Sequence, residues 1–405
     1  MREEKDKPAI RFEGFTDAWE QRKFGELYEQ VTQKNDLTYG IDRNITVATM
    51  QFKSEIRVTE EDYLRTYNVF LLGDIAFEGH QSKEFRYGRF VENDIGNGIV
   101  SHIFAVFRPK MKYDLQFWKY AINNERLMQP VLSRCTKAST MMNDLVATDF
   151  LAETFLVPCV EEQQLIGAFI SQLDNLITLH QRKYEKLVTI KKSCLEKMFP
   201  QNGSLYPEVR FSGYTDPWEQ RKLSEVADKV TEKNLDLAVQ ETFTNSAEFG
   251  IISQRDFFDH SISNADNIGG YYVVRGEDFV YNPRISVTAP VGPINRNKLG
   301  RNGVMSPLYT VFRPHDIDAT YLEWFFKSSY WHPFMLVNGD SGARSDRFSI
   351  KNAVFFEMPI PAPSLEEQRR IGSYLDRLDN IITLHQRELE KLRNLKKSLL
   401  QQMFV

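Results

Sequence analysis

Two long stretches of the chain place apolar residues at alternating spacings of four and three, the 3.5-residue period of a coiled coil. Each stretch predicts a helix of roughly 34 residues, about 50 Å long at 1.5 Å per residue. The predicted seam positions are, in the first stretch, Leu173, Ile177, His180, Tyr184 and Leu187 and, in the second, Leu378, Ile382, His385, Leu389 and Leu392. Residues 173–182 and 378–387 are identical at nine of ten positions. Because each helix offers the other a matching seam, we predict that they pair antiparallel within the chain.

A second repeat precedes the helices. Residues 11–35, the opening motif, recur at residues 210–234 with fifteen of 25 positions identical and a constant offset of 199. The chain is therefore a tandem duplication of a unit of about 200 residues, each made of an opening motif, a variable stretch and a long helix. We predict a first domain at 1–157, its helix at 158–200, a second domain at 201–360 and its helix at 361–405.

The variable stretches contain short apolar segments between turns that carry Gly and Asn, which predict strands. In the first domain they fall at 45–50, 69–77 and 99–107, before a helix at 115–132. In the second they fall at 271–274, 279–281 and 308–312, before a helix at 321–337. The predicted fold class is α+β, a tandem duplication of a mixed α/β domain plus a long helix. Within the opening motif, Trp19 and Trp218 are predicted to anchor the cores, and Thr16 and Thr215 to cap helices or turns.

The composition excludes some classes of protein but does not indicate a particular reaction. No apolar run is long enough to span a membrane, and the first residues lack the hydrophobic region of a signal peptide. Cys135, Cys159 and Cys194 have no metal-ligand spacing, which is typical of reduced thiols in a cytoplasmic protein. The net charge of -4 argues against indiscriminate nucleic-acid binding, although local basic patches remain compatible with it.

No catalytic, cofactor-binding or metal-binding residue is predicted. The sequence lacks a phosphate-binding loop, a dinucleotide-binding glycine motif, H-E-x-x-H and C-x-x-C. His180 and His385 occupy equivalent seam positions, where catalysis or metal binding is one interpretation. Setting the register of the coiled coil is the interpretation we favour, since single polar seam residues commonly do so. Lys191 and Lys396 are expected to extend from the same seam toward solvent.

Basic and amide residues cluster in loops that could contact DNA. Residues 279–315 contain five basic residues and no acidic one. Arginine suits guanine and asparagine suits adenine in the major groove, whereas lysine serves phosphates. The candidates are His80, Gln81, Ser82, Lys83, Arg86, Arg89, Lys137, Ser139 and Thr140 in the first domain, and Arg284, Arg296, Asn297, Lys298, Arg301, Arg344 and Arg347 in the second. The alternative is that these are ordinary solvated loops.

The full length of the chain resembles the specificity subunits of Type I restriction–modification systems. The resemblance rests on the duplicated F-x-G-[FY]-T-D-x-W-E-Q-R-K, on E-E-Q-x-x-I-G at residues 161–167 and 366–372, and on the duplicated L-D-N-[LI]-I-T-L-H-Q-R, whose helices end in Met-Phe. It implies two target recognition domains, each reading half of a split asymmetric double-stranded DNA sequence. The paired helices are implied to set the spacer between the halves.

The same resemblance implies a non-catalytic chain that works through partners. Two methyltransferase subunits are expected to dock on the helices, joined in the complete enzyme by two restriction subunits. S-adenosylmethionine, ATP and magnesium are expected in those partners, with no cofactor in this chain. The alternative is a stand-alone DNA-binding or scaffold protein that dimerises through the coiled coil. A second alternative is an enzyme with an unrecognised site.

Overall fold

A computed structural model describes residues 7–53, 61–139, 142–201, 203–257, 265–340 and 346–405. The chain forms two compact units. Unit 1 comprises Met1–Gln181 and Arg387–Val405, and unit 2 comprises Arg182–Gln386. Each unit therefore contains one variable domain, the beginning of one long helix and the end of the other. The domain boundaries predicted at the helix starts stay a prediction, since division by compactness cuts each helix near its middle.

In the residues that the structure describes, the first repeat consists mainly of short strands and α-helices. Its strands are β1 (Glu20–Lys23), β2 (Tyr28–Val31), β3 (Ile45–Thr46), β4 (Gln51–Phe52), β5 (Asn68–Phe70), β6 (Ile75–Glu78), β7 (Arg89–Glu92), β8 (Gly98–Val100), β9 (Val106–Pro109), β10 (Thr136–Ala138), β11 (Asn143–Leu145) and β12 (Thr154–Val157). Its helices are α1 (Phe24–Leu27), α2 (Leu115–Ile122), α3 (Glu125–Cys135), α4 (Ala147–Ala152) and α5 (Val160–Lys197).

The second repeat follows the same order with small differences. Its strands are β13 (Glu219–Lys222), β14 (Ala227–Lys229), β15 (Phe243–Ser246), β16 (Gly250–Ser253), β17 (Tyr272–Val274), β18 (Phe279–Tyr281), β19 (Ile294–Arg296), β20 (Gly303–Met305), β21 (Thr310–Pro314) and β22 (Pro359–Ala362). Its helices are α6 (Gln254–Phe257), α7 (Ala319–Lys327), α8 (His332–Asn338), α9 (Asn352–Phe355) and α10 (Leu365–Gln402).

Each unit contains a four-stranded antiparallel sheet of the same order. In unit 1 it is β2-β9-β6-β7, and in unit 2 it is β14-β21-β18-β19. The register also agrees, because Ile75 faces Glu92 and Phe107, and Phe279 faces Arg296 and Phe312. This confirms the predicted duplication at the level of single residue pairs.

Several predicted elements are shorter than the sequence suggests. The predicted strand 69–77 is two strands, β5 and β6, separated by a turn in which Gly73 has a φ of 89°. The predicted helix 115–132 is interrupted where the Asn124 side chain accepts a hydrogen bond from Arg126 N and starts α3. No helix follows Thr16 or Thr215; β1 and β13 begin instead. Trp19 and Trp218 are buried, as predicted.

The long helices α5 and α10 have 38 residues each, about 57 Å at 1.5 Å per residue. In unit 1, Lys396 Nζ lies 2.6 Å from Asp174 and Arg393 donates to Gln181 over 2.9 Å. In unit 2, Lys191 forms an ion pair with Asp379. Partner numbers fall on one helix as they rise on the other, which confirms the antiparallel pairing. Lys191 and Lys396 are therefore ion-paired across the helices and do not simply extend to solvent.

All ten predicted seam positions are buried or half-buried. Leu173, Leu378, Ile382 and Leu389 are buried, while Ile177, His180, Tyr184, Leu187, His385 and Leu392 are half-buried. The residues that follow the C-terminal end of each long helix are buried in the hydrophobic core of a unit. Met403 and Phe404 belong to the core of unit 1, where Phe404 packs on Trp19 and Phe117. Met198 and Phe199 take the same place in the core of unit 2.

Candidate nucleic-acid interface

A loop and a hairpin meet at one end of the sheet in unit 1. Residues 79–88 connect β6 to β7, and β10 pairs antiparallel with β11. Asn143 N donates to Gly79 O over 2.8 Å, and Gln81 Nε2 donates to Asn143 Oδ1 over 3.1 Å. A Cβ at Gly79 would lie only 2.1 Å from Asn143 O, so this approach requires glycine. Residues 79–88, 136–139 and 142–145 are called loop cluster 1.

Loop cluster 1 brings together most of the predicted residues of the first domain. His80, Gln81, Ser82, Lys83, Arg86, Lys137 and Ser139 are all exposed on it. Among the described residues, Lys83, Arg86 and Lys137 have no ion-pair partner, so their charges face solvent. Arg89 differs, because it is half-buried and its Nε donates to Glu78 over 2.7 Å. Thr140 lies outside the described residues.

Unit 2 has an equivalent surface. Residues 282–293 connect β18 to β19, and they contact the segment around residues 346–349 through Phe348 N, which donates to Pro283 O over 2.7 Å. Arg284 is highly exposed and lies 3.7 Å from the exposed Asp346, a separation that contributes little in solvent. Arg347 is half-buried and forms a β-bridge with Arg284. Residues 282–293, 340 and 346–349 are called loop cluster 2; Arg344 lies outside the described residues.

The two clusters are closed by the same glycine turn. Gly88 and Gly292 each have a φ of 85°. A Cβ would lie 2.6 Å from Glu78 O at the first and 2.1 Å from Asn282 O at the second. Both loops therefore leave and re-enter the sheet in the same way, while their exposed side chains differ.

The remaining predicted residues of the second domain lie at the opposite end of the β18–β19 hairpin. Arg296 is 9% exposed and forms ion pairs with Glu323 at 2.6 Å and Glu277 at 3.1 Å. Asn297 is completely buried, and its Nδ2 donates to the carbonyls of Arg275 and Arg301. The prediction that Arg296 and Asn297 contact DNA stays a prediction, and their burial argues against it, because Arg296 is ion-paired and the Asn297 amide is hydrogen-bonded in the interior.

Lys298 and Arg301 are half-exposed, but both are ion-paired. Lys298 lies 3.3 Å from Glu323, and Arg301 forms a two-bond pair with Glu241 at 2.7 and 2.8 Å. The hydrogen bonds from Arg301 hold the pKa of Glu241 below its ordinary value. Neither residue belongs to loop cluster 2. The acidic partners are distant in the sequence, so a stretch free of acidic residues looked more basic than it is.

Sequence reasoning missed a third loop beside each cluster. In unit 1, Arg89 donates to Ala48 O over 2.9 Å, which joins the β3–β4 turn to the start of β7, next to loop cluster 1. In unit 2, Asn295 donates to Ser246 O over 3.1 Å, and the β15–β16 turn there exposes Phe249. In unit 2 the apolar Phe249 within a short turn was the available signal.

Other kinds of site do not emerge from the described parts of the chain. Within them, no group of three or more His, Cys, Asp or Glu side chains could hold a metal ion. None of the helices in the same residue ranges is long and apolar enough to cross a membrane.

The family model of the Type I restriction modification DNA specificity domain matches residues 16–189 and 215–394. The chain belongs to this family. The two matches coincide with the two repeats, and they make the chain a Type I specificity subunit with DNA recognition as its role.

Two curated relatives agree with this family, and both come from Methanocaldococcus jannaschii. The Type I restriction enzyme MjaVIII specificity subunit is 24% identical over 261 residues, which cover 60% of this chain and 59% of the relative. That alignment thus spans less than two thirds of the relative. The putative type I restriction enzyme MjaX specificity subunit is 23% identical over 94% of this chain and 92% of its own length.

The specificity-family fold is also found among solved structures. The Type-I restriction-modification system S subunit from M. genitalium matches with a TM-score of 0.55 and 13% identity, covering 98% of this chain and 99% of that chain. At this identity the match supports the shared α+β fold of duplicated domains and long helices.

Proposed function

We propose that this specificity subunit reads a bipartite, asymmetric DNA sequence and directs methyltransferase and restriction subunits to it. Loop cluster 1 contacts one half of the target and loop cluster 2 contacts the other. The chain itself performs no catalysis. S-adenosylmethionine, ATP and magnesium act in the partner subunits, of which two methyltransferase and, in the complete enzyme, two restriction subunits assemble on one such chain.

The observation that carries this proposal is the contrast between a repeated scaffold and different loops. The sheets agree residue pair by residue pair, yet loop cluster 1 exposes Lys83, Arg86 and Lys137 whereas loop cluster 2 exposes Arg284 and the apolar Val287. Lysine contributes mainly phosphate contacts, and arginine and apolar side chains discriminate base edges. Loop clusters 1 and 2 are therefore carried by the same scaffold but expose different side chains, as two domains that read different DNA half-sites would need.

The long helices also support the assembly part of the proposal. In unit 1, Leu176 and Leu179 of α5 are 47% and 61% exposed on the side away from the seam. In unit 2, Ile381 and Leu384 of α10, their counterparts in the decapeptide repeat, are 42% and 58% exposed. Exposed apolar residues on a long helix favour burial against another protein. The repetition of this pair suits two copies of one partner.

The alternative of a homodimer joined through the coiled coil is less well supported. It requires the seams of α5 and α10 to be open for a second chain. In unit 1 the end of α10 covers the beginning of α5, and in unit 2 the end of α5 covers the beginning of α10. A dimeric mass of the purified chain alone would favour this alternative, and a complex with two methyltransferase copies would favour the proposal.

Mapping methylated adenines across a genome tests the proposal directly. Cells that express the methyltransferase with and without this chain are compared, and we expect a split motif only where the chain is present. Exchanging residues 79–88 and 136–145 for those of another specificity subunit should change one half of the motif only. Adding one heptad to both long helices should lengthen the spacer. A change in both halves after the exchange, or an unchanged spacer after the matched insertion, contradicts the proposal.

A further inference from the structure

One buried residue, Asn143, holds the β6–β7 loop of unit 1 at three points. It is 4% exposed and lies at the start of β11. Its backbone N–H donates to Gly79 O over 2.8 Å, its Nδ2 donates to Arg86 O over 3.3 Å, and its Oδ1 accepts from Gln81 Nε2 over 3.1 Å. Asn143 therefore joins both ends of the loop to the β10–β11 pair.

The carbonyl of Arg86 determines which way round two side-chain amides lie. A carbonyl oxygen only accepts hydrogen bonds, so Asn143 turns its NH2 group toward Arg86 O and its Oδ1 toward Gln81. Because Oδ1 also only accepts, Gln81 turns its own NH2 group toward Asn143. Arg86 is itself held, since its backbone N–H donates to Glu125 Oε1 over 3.2 Å. The protein thus sets the orientation of the Gln81 amide before any DNA is bound.

Gln81 keeps the groups that recognise adenine. It is exposed on loop cluster 1, and within the described parts of the chain its side chain makes only the hydrogen bond to Asn143. An amide nitrogen carries two N–H groups, so one N–H and Oε1 stay available side by side. In the major groove this donor and acceptor match N7 and the N6 amino group of adenine, whereas guanine presents two acceptors.

Unit 2 has the same backbone bond with a different side chain. Pro283 takes the place of Gly79 in the matching register of the two sheets, and its carbonyl accepts from Phe348 N over 2.7 Å. Phe348 is buried in the hydrophobic core of unit 2, and its apolar side chain orients no amide. The backbone bond therefore belongs to the shared scaffold, and the amide of Asn143 is particular to unit 1.

We propose that Gln81 reads an adenine in the half-site contacted by loop cluster 1, and that Asn143 is the positioning residue that presents the Gln81 amide to this base. This inference rests on the proposed function. An amide that is oriented before binding loses little rotational freedom when DNA binds, which favours the base it already matches.

The test uses the assembled methyltransferase complex and a duplex that carries the methylated motif found by the genome mapping. Each adenine of the motif is replaced in turn by 7-deazaadenine, which lacks N7, and fluorescence anisotropy measures the affinity. We expect about tenfold weaker binding for one adenine in the half-site that the exchange of loop cluster 1 alters. Gln81→Ala should bind the natural and this modified duplex alike. Gln129→Ala, which changes an exposed glutamine of α3 outside loop cluster 1, is the matched control and should keep the wild-type preference.

Asn143→Ala tests the positioning role. The variant keeps Gln81 but releases its amide, so the preference for adenine over 7-deazaadenine should fall from about tenfold to about threefold or less. A purely structural role would weaken binding to both duplexes equally and keep the preference, which would overturn the role of Asn143.

The wild-type complex alone separates the inference from the proposed function. A split motif without sensitivity to 7-deazaadenine at any adenine of that half-site would overturn the inference and leave the proposed function standing, and this measurement needs no variant to fold. A wild-type complex that gives no split motif would overturn both.

Discussion

The two units carry opposite charges at the same interior position. Where the last strand of the main sheet packs on the following helix, unit 1 has two acidic residues and one base, and unit 2 has two basic residues and one acid. The residues are Glu92, Asp94 and Lys119 in unit 1, and Arg296, Lys298 and Glu323 in unit 2.

The positions are equivalent by register and by helix cap. Glu92 and Arg296 face matching residues of β6 and β18. Lys119 and Glu323 each lie five residues after the aspartate, Asp114 or Asp318, that caps its helix. Opposite charges are therefore paired at this position in both units, but the signs of the charges on the strand and on the helix are exchanged. A basic residue in this chain is therefore evidence of DNA contact only when its carboxylate partner is absent.

The charged groups at this position are not equally well paired in the two units. In unit 2, burial alone would raise the pKa of Glu323, but Lys327, Arg296 and Lys298 hold it below its ordinary value. In unit 1, Lys119 pairs with Asp94 at 2.5 Å, and both carboxylate oxygens of the buried Glu92 lack a partner among the described residues. Burial, reinforced by Asp94 and Asp114, raises the pKa of Glu92 well above its usual range.

The largest effect is expected from reversing the charge at Glu323. Glu323→Lys would leave Arg296, Lys298 and Lys327 without their shared carboxylate, and we expect a loss of about 4 kcal/mol in the free energy of unfolding. Urea denaturation, with hydrogen exchange resolved along the chain, should place the loss in unit 2. Adding Arg296→Glu and Lys298→Asp recreates the charges of unit 1 and should recover most of the stability. No recovery would show that the sign of the charge is fixed by its surroundings.

A second comparison concerns the helix ends. Phe404 is buried in the core of unit 1 and Phe199 in that of unit 2. Truncating a buried phenylalanine costs about 3 kcal/mol or more, so Phe404→Ala and Phe199→Ala should destabilise units 1 and 2 respectively. Hydrogen exchange along the chain checks this, with the exposed Leu395→Ala as the control. Equal acceleration in both units after either change would show that the units unfold together.

The sequence predicted the features that are periodic or repeated. The antiparallel pairing of α5 and α10 followed from a 3.5-residue period sustained in two near-identical copies, which no short segment could imitate. Loop cluster 1 followed from basic residues beside turn signals. The burial of Arg296 could not be predicted in this way, because β19 has only three residues and a period of two is not readable over that length. Its partner Glu323 comes from a different element and is identified only by the packing of α7 on the sheet.

The contributions of Glu92 in unit 1 and Glu323 in unit 2 to stability should depend on pH with opposite signs. The folded-state pKa of Glu92 is raised, so its contribution is complete below the ordinary carboxyl range and is lost as the pH rises through the folded-state value. The folded-state pKa of Glu323 is lowered, so its contribution is present above the unfolded value and is lost as the pH falls. We expect Glu92→Gln to stabilise the chain by about 1 kcal/mol at pH 8 and Glu323→Gln to destabilise it. Urea denaturation between pH 4 and pH 9 measures both, and a stabilising Glu323→Gln would contradict the assignment.

The smallest effects are expected where exposed cations of loop cluster 1 are compared with ion-paired cations outside the clusters. Lys83→Ala and Lys137→Ala should each weaken DNA binding by roughly threefold to tenfold and lower the slope of log affinity against log salt by about 1, because each removes one phosphate contact. Arg301→Ala should leave that slope unchanged, since Arg301 is paired with Glu241 and lies at the far end of its hairpin from loop cluster 2. Fluorescence anisotropy of the assembled methyltransferase complex on cognate and random duplexes, from low to high salt, measures each slope. If Arg301→Ala lowered the slope as much as Lys137→Ala, ion pairing would be no guide to which cations of this chain reach DNA.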